Sequence, residues 1–268
     1  MAALEVVSGY VTAPSATRTA ITLSNGSLTV RNFSKGNAWL VSSWKNGQAS
    51  VGDYRIRSPR LHDFTNGLLY RVPFGSTQPD ATMGFPQRLI AQDTLSVDVV
   101  GSSVAGDIEN VCLLIYYEFL DGANGVYIDL TELERRMVNL VVPSYSTTGG
   151  TTGVWSAGVA LSGAALGDIL KANTQYAILG FAATESAVNN AASVAVSGVD
   201  TGNLFVGCPV SSSEPFLMAN WFVELTKKHG RPMLPTINSA NKGGTFVYSL
   251  NNENANTIIA CPIMAELR

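Results

Sequence analysis

The feature that most constrains this chain is how often it has to turn. Asn25-Gly26, Asn46-Gly47, Asn66-Gly67 and Asp121-Gly122 are dipeptides that accept positive φ at little cost. Between them lie short stretches rich in β-branched and aromatic residues, at 19–23, 28–33, 38–44, 54–57, 68–72, 95–100 and 111–119. Each reads as a strand. Residues 28–33 mix polar and apolar side chains in the two-residue rhythm of a half-buried strand. Residues 111–117 are apolar throughout, as expected of a strand covered on both faces. Many strands at intervals near ten residues predict an all-β chain built as a sandwich or barrel.

Helices are minor in this reading. Thr131 and Glu134 have the spacing of a capping box and predict a short helix running to Met137. A second short helix is expected within residues 163–173, ahead of a strand from Gln175. Residues 218–228 fit a helix and a strand equally well. Residues 143–153 are polar, rich in Gly, Ser and Thr, and nearly central, which makes them the expected boundary. The chain closes in the same way on each side of it. A strand at 95–100, an acidic and amide-rich loop and an apolar strand from Val111 correspond to a strand at 245–250, a similar loop and a strand from Thr257. The two endings are about 150 residues apart, a spacing that points to an internal repeat. The prediction is two tandem antiparallel β-sandwich modules, jelly-roll-like, over residues 1–144 and 145–268, with a few short helices.

Composition bears on how the surface is used. Charged residues are only 14% of the chain against 46% hydrophobic, about half the usual charged share. Few charges keep such a chain apart from its neighbours, which favours outer faces that meet other subunits. The formal charge of −3 is unevenly spread, because residues 1–90 hold nine basic side chains and four acidic ones. Opposite-signed segments suit lateral contacts between copies. The basic stretch Arg55, Arg57, Arg60 and Arg71 is the candidate subunit contact. Its interleaved aromatics, Tyr54, Phe64 and Tyr70, also suit single-stranded nucleic acid, but Asp53 and Asp63 dilute the field.

Chemistry-bearing patterns are few. His62 and His229 have no ligand neighbours at metal spacing, so no metal is expected. His62 reads as a loop residue facing solvent or a partner, and His229 as a solvated turn residue. No G-x-S-x-G elbow accompanies either, and no catalytic residue is assigned. Glu132 and Glu134 would point to different faces of a helix, and Glu118 and Asp121 read as solvated. Lys242-Gly243-Gly244 lacks the leading glycine of a phosphate loop and reads as a hairpin turn. No cofactor or specific small-molecule ligand is implied. Cys112, Cys208 and Cys261 form an odd, widely spaced set and are expected as free thiols in a reducing compartment. Trp39, Trp44, Trp155 and Trp221 sit among apolar or small residues and are expected to anchor a core or an interface. The first ten residues lack a basic stretch followed by an apolar one, so no signal peptide is expected. The apolar run at 111–117 falls well short of the roughly 20 residues of a membrane helix.

The tandem endings at 95–119 and 245–267, the short helix after Phe119 and the Gly/Ser/Thr-rich segment 143–153 together resemble the double jelly-roll major capsid proteins of tailless icosahedral viruses and phages. That resemblance is architectural and carries over no functional residue. It implies a structural coat protein, located in the virion after assembly in the host cytoplasm. Its partners would be copies of itself in trimeric capsomers and other virion proteins, in some cases over an internal membrane. The competing readings are a phage decoration or receptor- or carbohydrate-binding module, which needs a row of surface aromatics, and a sandwich hydrolase, which needs two carboxylates facing across a cleft.

Overall fold

The structure is a computed structural model that describes residues 2–13, 17–33, 37–47, 52–61, 65–72, 86–102, 104–118, 126–149, 151–185, 191–210, 218–251 and 257–268. The chain is 54% strand and 13% helix, with antiparallel sheets throughout. Its first strands are β1 (Ala2–Thr12), β2 (Thr19–Ala20), β3 (Thr22–Asn25), β4 (Ala38–Gly47), β5 (Gly52–Arg57), β6 (Leu68–Val72), β7 (Gln87–Leu89), β8 (Ser96–Val100) and β9 (Ile108–Glu118). They form two sheets, ordered β3-β1-β9-β4-β7 and β2-β8-β5-β6. Later elements are β10 (Val126–Ile128), α1 (Leu130–Arg136), β11 (Met137–Val141), β12 (Tyr145–Thr148), β13 (Val159–Ala160), β14 (Gln175–Glu185), β15 (Ala191–Ser197), β16 (Val206–Pro209), α2 (Trp221–His229), β17 (Leu234–Asn238), β18 (Phe246–Asn251) and β19 (Thr257–Leu267). Their sheets run β10-β17-β14-β19-β11, with β12 also on β19, and β13-β18-β15-β16.

No named strand before residue 119 pairs with a named strand after 125 among the described residues. Residues 126–128 and 137–141, placed in the first module by the division at 144/145, pair with β17 and β19 respectively. Residues 145–148, within the segment expected to be a boundary loop, form β12 against Ala260–Thr257 of β19. Each set of strands closes similarly. In the earlier set β8 lies in one sheet and the 11-residue β9 inside the other; in the later set β18 lies in one sheet and the 11-residue β19 inside the other.

Several local expectations change. β1 has no counterpart in the sequence reading, although it pairs with β9 along its whole length. Residues 28–33 are not a strand: Thr29 makes only an isolated bridge to Thr94, while Val30 N–H donates to the Asp93 carbonyl at 2.8 Å. The cap of α1 is Asp129, two residues before Thr131, and its Oδ1 accepts from the Glu132 N–H at 2.8 Å. Residues 163–173 hold only the end of a 3-10 turn, Leu161–Gly163. Trp221–His229 resolves as a helix, closed by Gly230 at φ 61°. Lys242-Gly243-Gly244 is no hairpin turn, because β17 and β18 on either side of it belong to different sheets.

The first two sheets enclose a core of Val97, Val99, Ile56 and Tyr54 against Val111, Leu113, Ile115 and Tyr117. The opposite face of β1, β4 and β9 is also dry. Leu4, Val6, Trp44, Cys112, Leu114 and Tyr116 pack into one continuous core with Phe181, Val196, Phe222 and Met264 from the later strands and α2. The sheet containing β9 is therefore the middle of a layered stack, which accounts for its uninterrupted apolar sequence. All four tryptophans serve this junction. Trp44 donates its indole N–H to Ser193 Oγ at 2.9 Å and meets Trp221 edge-on at 5.8 Å. Trp155 donates to Ser8 Oγ at 2.8 Å, and Trp39 carries the Arg231 guanidinium 4.5 Å from its ring centroid. Arg231 also pairs with Glu118, which is therefore not simply solvated. The outer edge of β1 is covered too: the Leu4 N–H donates to Tyr127 Oη and the Val6 N–H to the Phe205 carbonyl.

Charges inside the stack are paired. Lys45 and Glu109, 2% and 0% exposed, form a buried ion pair, and Glu109 Oε1 also accepts from the Ser102 N–H at 3.1 Å. Asn46-Gly47 is the end of β4 and not a turn. Gly47 is needed there because a Cβ would fall 1.6 Å from Glu109 Oε2. Glu5, on β1, accepts two hydrogen bonds from Arg31 at 2.6 and 2.8 Å and one from the Tyr117 hydroxyl at 3.0 Å. Lone removal of either partner of the Lys45–Glu109 pair strands a charge in the core. Lys45→Met or Glu109→Leu should each cost about 3–5 kcal/mol, and the double variant far less than the sum. Chemical denaturation of the three variants checks this coupling.

Candidate assembly surface

β5 alternates as the sequence suggests, with Tyr54 and Ile56 inward and Asp53, Arg55 and Arg57 outward. What faces them was not anticipated. Asp98, opposite Arg55 in the β5–β8 register, is 4% exposed because guanidinium groups cover it. It accepts from Arg55 Nη2 at 2.8 Å, and Arg57 Nη2 and Arg18 Nη1 lie at 3.0 and 3.2 Å. Arg18 bridges on to Asp53 at 2.6 Å. Hydrogen bonding to Asp98 raises the pKa of Arg55. The basic stretch is thus partly neutralised within its own chain. Arg60 stands apart, exposed, with Nη1 3.5 Å from the Ala91 carbonyl. Arg71 lies opposite Asp53 in the β5–β6 register, and its side chain is outside the described residues.

Sequence reasoning missed Arg18 and Asp98 because neither lies within the run of arginines. The available signal was Asp98 in an otherwise apolar strand, where a carboxylate needs a partner.

Of the two histidines, His62 lies outside the described residues. His229 ends α2 and is half-buried, not solvated. Burial, reinforced by Lys228, pushes its pKa down to about 4. Among the described residues, no three His, Cys, Asp or Glu side chains gather closely enough to hold a metal ion. Cys112 and Cys208 are buried and Cys261 is half-buried, all three unbridged. Burial raises the Cys112 thiol to about 12, so it is unreactive at neutral pH.

The surface feature that stands out is β11. Met137, Val138, Leu140 and Val142 are between 38% and 50% exposed, and Asn139 between them is exposed as well. β11 hydrogen-bonds β19 on one side and ends its sheet on the other. Next to it, the Ala165 N–H donates to the Ser144 carbonyl at 2.7 Å, which places the exposed Leu166 close to the end of this strand. Exposed apolar side chains gathered at one sheet edge mark an interaction site more often than a free face. No helix among the described residues is long and apolar enough to cross a membrane.

No protein-family profile matches the chain, and no curated protein matches it. Among solved structures, the chain is similar to the PBSX exported protein XepA, at 7% identity over 97% of this chain and 86% of that one, with a TM-score of 0.26. It is also similar to a chain of the human norovirus GI.7 Houston strain virus-like particle, of T=3 symmetry. There the identity is 9% over 98% of this chain and 63% of that one, with a TM-score of 0.23. Scores of this size do not amount to a shared fold. The class defined by the structure itself is a layered, antiparallel β protein with Trp44 and Trp221 buried and Trp39 and Trp155 partly buried at its junction.

Two outcomes follow from these contacts. Arg57→Glu would set a carboxylate against Asp98, and should lower unfolding stability by about 1.5–3 kcal/mol. Arg60→Glu should stay within about 0.5 kcal/mol of the parent; denaturant titration compares the two. His229 titrates at about 4 when folded and near 6.5 when unfolded. Between these values the unfolded chain binds a proton that the folded chain does not. Stability should therefore fall as pH drops from about 6.5 toward 4, and His229→Gln should remove that part of the slope.

Proposed function

We propose that this chain is a viral structural protein that acts by assembling with copies of itself, as a coat protein of an icosahedral shell. The observation that carries the reading is the exposed apolar edge at β11 on a chain with only 14% charged residues. In this reading function lies in the geometry of repeated contacts, and the protein is not an enzyme. Two β-sandwich modules per chain suit a trimeric capsomer in which the modules alternate around a ring. Other virion proteins would complete the set of partners, and the virion is its place. The decoration or carbohydrate-binding reading needs an aromatic platform on the surface. Trp39, Trp44, Trp155 and Trp221 all lie in the junction between the two sets of sheets, which weighs against it.

Arg60 is the member of the basic stretch best placed to meet another subunit. Light scattering on the purified chain should show oligomers, and electron microscopy should show ring- or shell-like particles. Arg60→Glu should lower the assembled mass while circular dichroism stays unchanged, because like charges across an interface cost several kcal/mol. An unchanged mass would remove this stretch from the contact. A parent chain that is monomeric at every concentration would favour the binding-module reading.

A further inference from the structure

We infer that β11 is the strand through which two copies join, pairing antiparallel with β11 of a second copy about a two-fold axis at Asn139. This inference rests on the reading of the chain as self-assembling, and assigns that property to one edge. β11 ends its sheet, so half of its main-chain N–H and C=O groups point away from β19 with no strand beside them among the described residues. Folded proteins ordinarily guard such an edge with lysines, inward charges or prolines. Here no charged residue occurs from Met137 through Gly167, and the first proline is Pro143, beyond the strand. A bulge between Met137 and Asn139 twists its start but leaves Asn139–Val141 in regular register.

The occupant follows from the sequence of the strand and the charges around it. Met-Val-Asn-Leu-Val is self-complementary about its centre. With Asn139 opposite its own copy, Val138 faces Leu140 and Met137 faces Val141, so every apolar side chain meets another. The two Asn139 amides can each donate to and accept from the other. Orientation is set by charge. A parallel pairing would stack Arg135 and Arg136 on the same residues of the second copy. The antiparallel pairing sets them instead against the Pro143–Ser144 end, where no residue carries a charge. Arg135, 70% exposed at its side chain, pairs with Glu132 of its own helix at 2.7 Å and meets no like charge in this arrangement. A contact of this kind is isologous and closes on itself. It joins two capsomers and leaves the ring contacts to other faces.

The test is Asn139→Cys with a short bismaleimide, beside Val199→Cys as an exposed control on another part of the surface. Native thiols compete little, since two are buried and burial raises the pKa of the third, Cys261. Asn139→Cys should give a covalent dimer on a denaturing gel and Val199→Cys should not. In parallel, Val138→Lys with Leu140→Lys should abolish the dimer in sedimentation while circular dichroism is unchanged, because both side chains already face solvent. If the parent chain associates but Asn139→Cys gives no more dimer than the control, this edge is not the contact and the assembly reading stands. If the parent chain is monomeric throughout, the assembly reading fails and this inference with it.

Discussion

The structure depends on burying one sheet from both sides. β9, lying between β1 and β4, presents Val111, Leu113 and Ile115 to one core and Cys112, Leu114 and Tyr116 to the other. A sheet in that position cannot be completed by the first 118 residues, which cover only one of its faces. The second face is closed by β14–β19, α2 and their neighbours, so the later half of the chain is part of the stability of the earlier half. Burial of apolar area at about 25 cal/mol per Å² provides the drive. The four tryptophans fix the docking geometry, two of them through hydrogen bonds to serines across the junction.

The same arrangement explains where the charges are. Glu5, Lys45 and Glu109 lie buried on the middle sheet, and each is matched by a partner in the fold. Such pairs contribute little net stability but penalise any register that separates them. A one-residue slip of β4 on β9 would carry Lys45 to the opposite face from Glu109, because side chains alternate along a strand. On the outer sheet, Asp98 draws in Arg18, Arg55 and Arg57. The positive stretch legible in the sequence therefore becomes an internal brace, and the outer surface it leaves is less charged than composition alone suggests. Against such a background an apolar edge strand is the dominant surface feature.

Some of this was open to reading in the residues. The all-β class followed from turn dipeptides and β-branched runs, and the two-sided burial of residues 111–117 from their lack of alternation. Strands from Val111 and from Thr257 were expected, and β9 and β19 run through both positions. β1 was missed for the reason that makes it central: buried on both faces and interrupted by Ser8-Gly9, it shows no period for a pattern to catch. Residues 28–33 did alternate, yet they lie where only an isolated bridge forms. At residues 218–228 local pattern could not choose between helix and strand, and packing of Trp221 and Phe222 into the junction decided for the helix.

Sequence by itself determined the chemistry available: strands over helices, thiols without bridging partners nearby in sequence, aromatics set among apolar neighbours, and a chain poor in charge. Those are properties of residue types and their short-range order. Tertiary structure alone decided which face each residue meets. Val-Asn-Leu-Val-Val at 138–142 is as apolar as a buried strand, and its composition gives no sign of exposure. It lies at an edge because β19 already has β14 on its other side, and a strand has only two sides on which to pair. Arg57 and Arg60 differ in role for the same reason, since one of them has Asp98 across the sheet and the other has a turn.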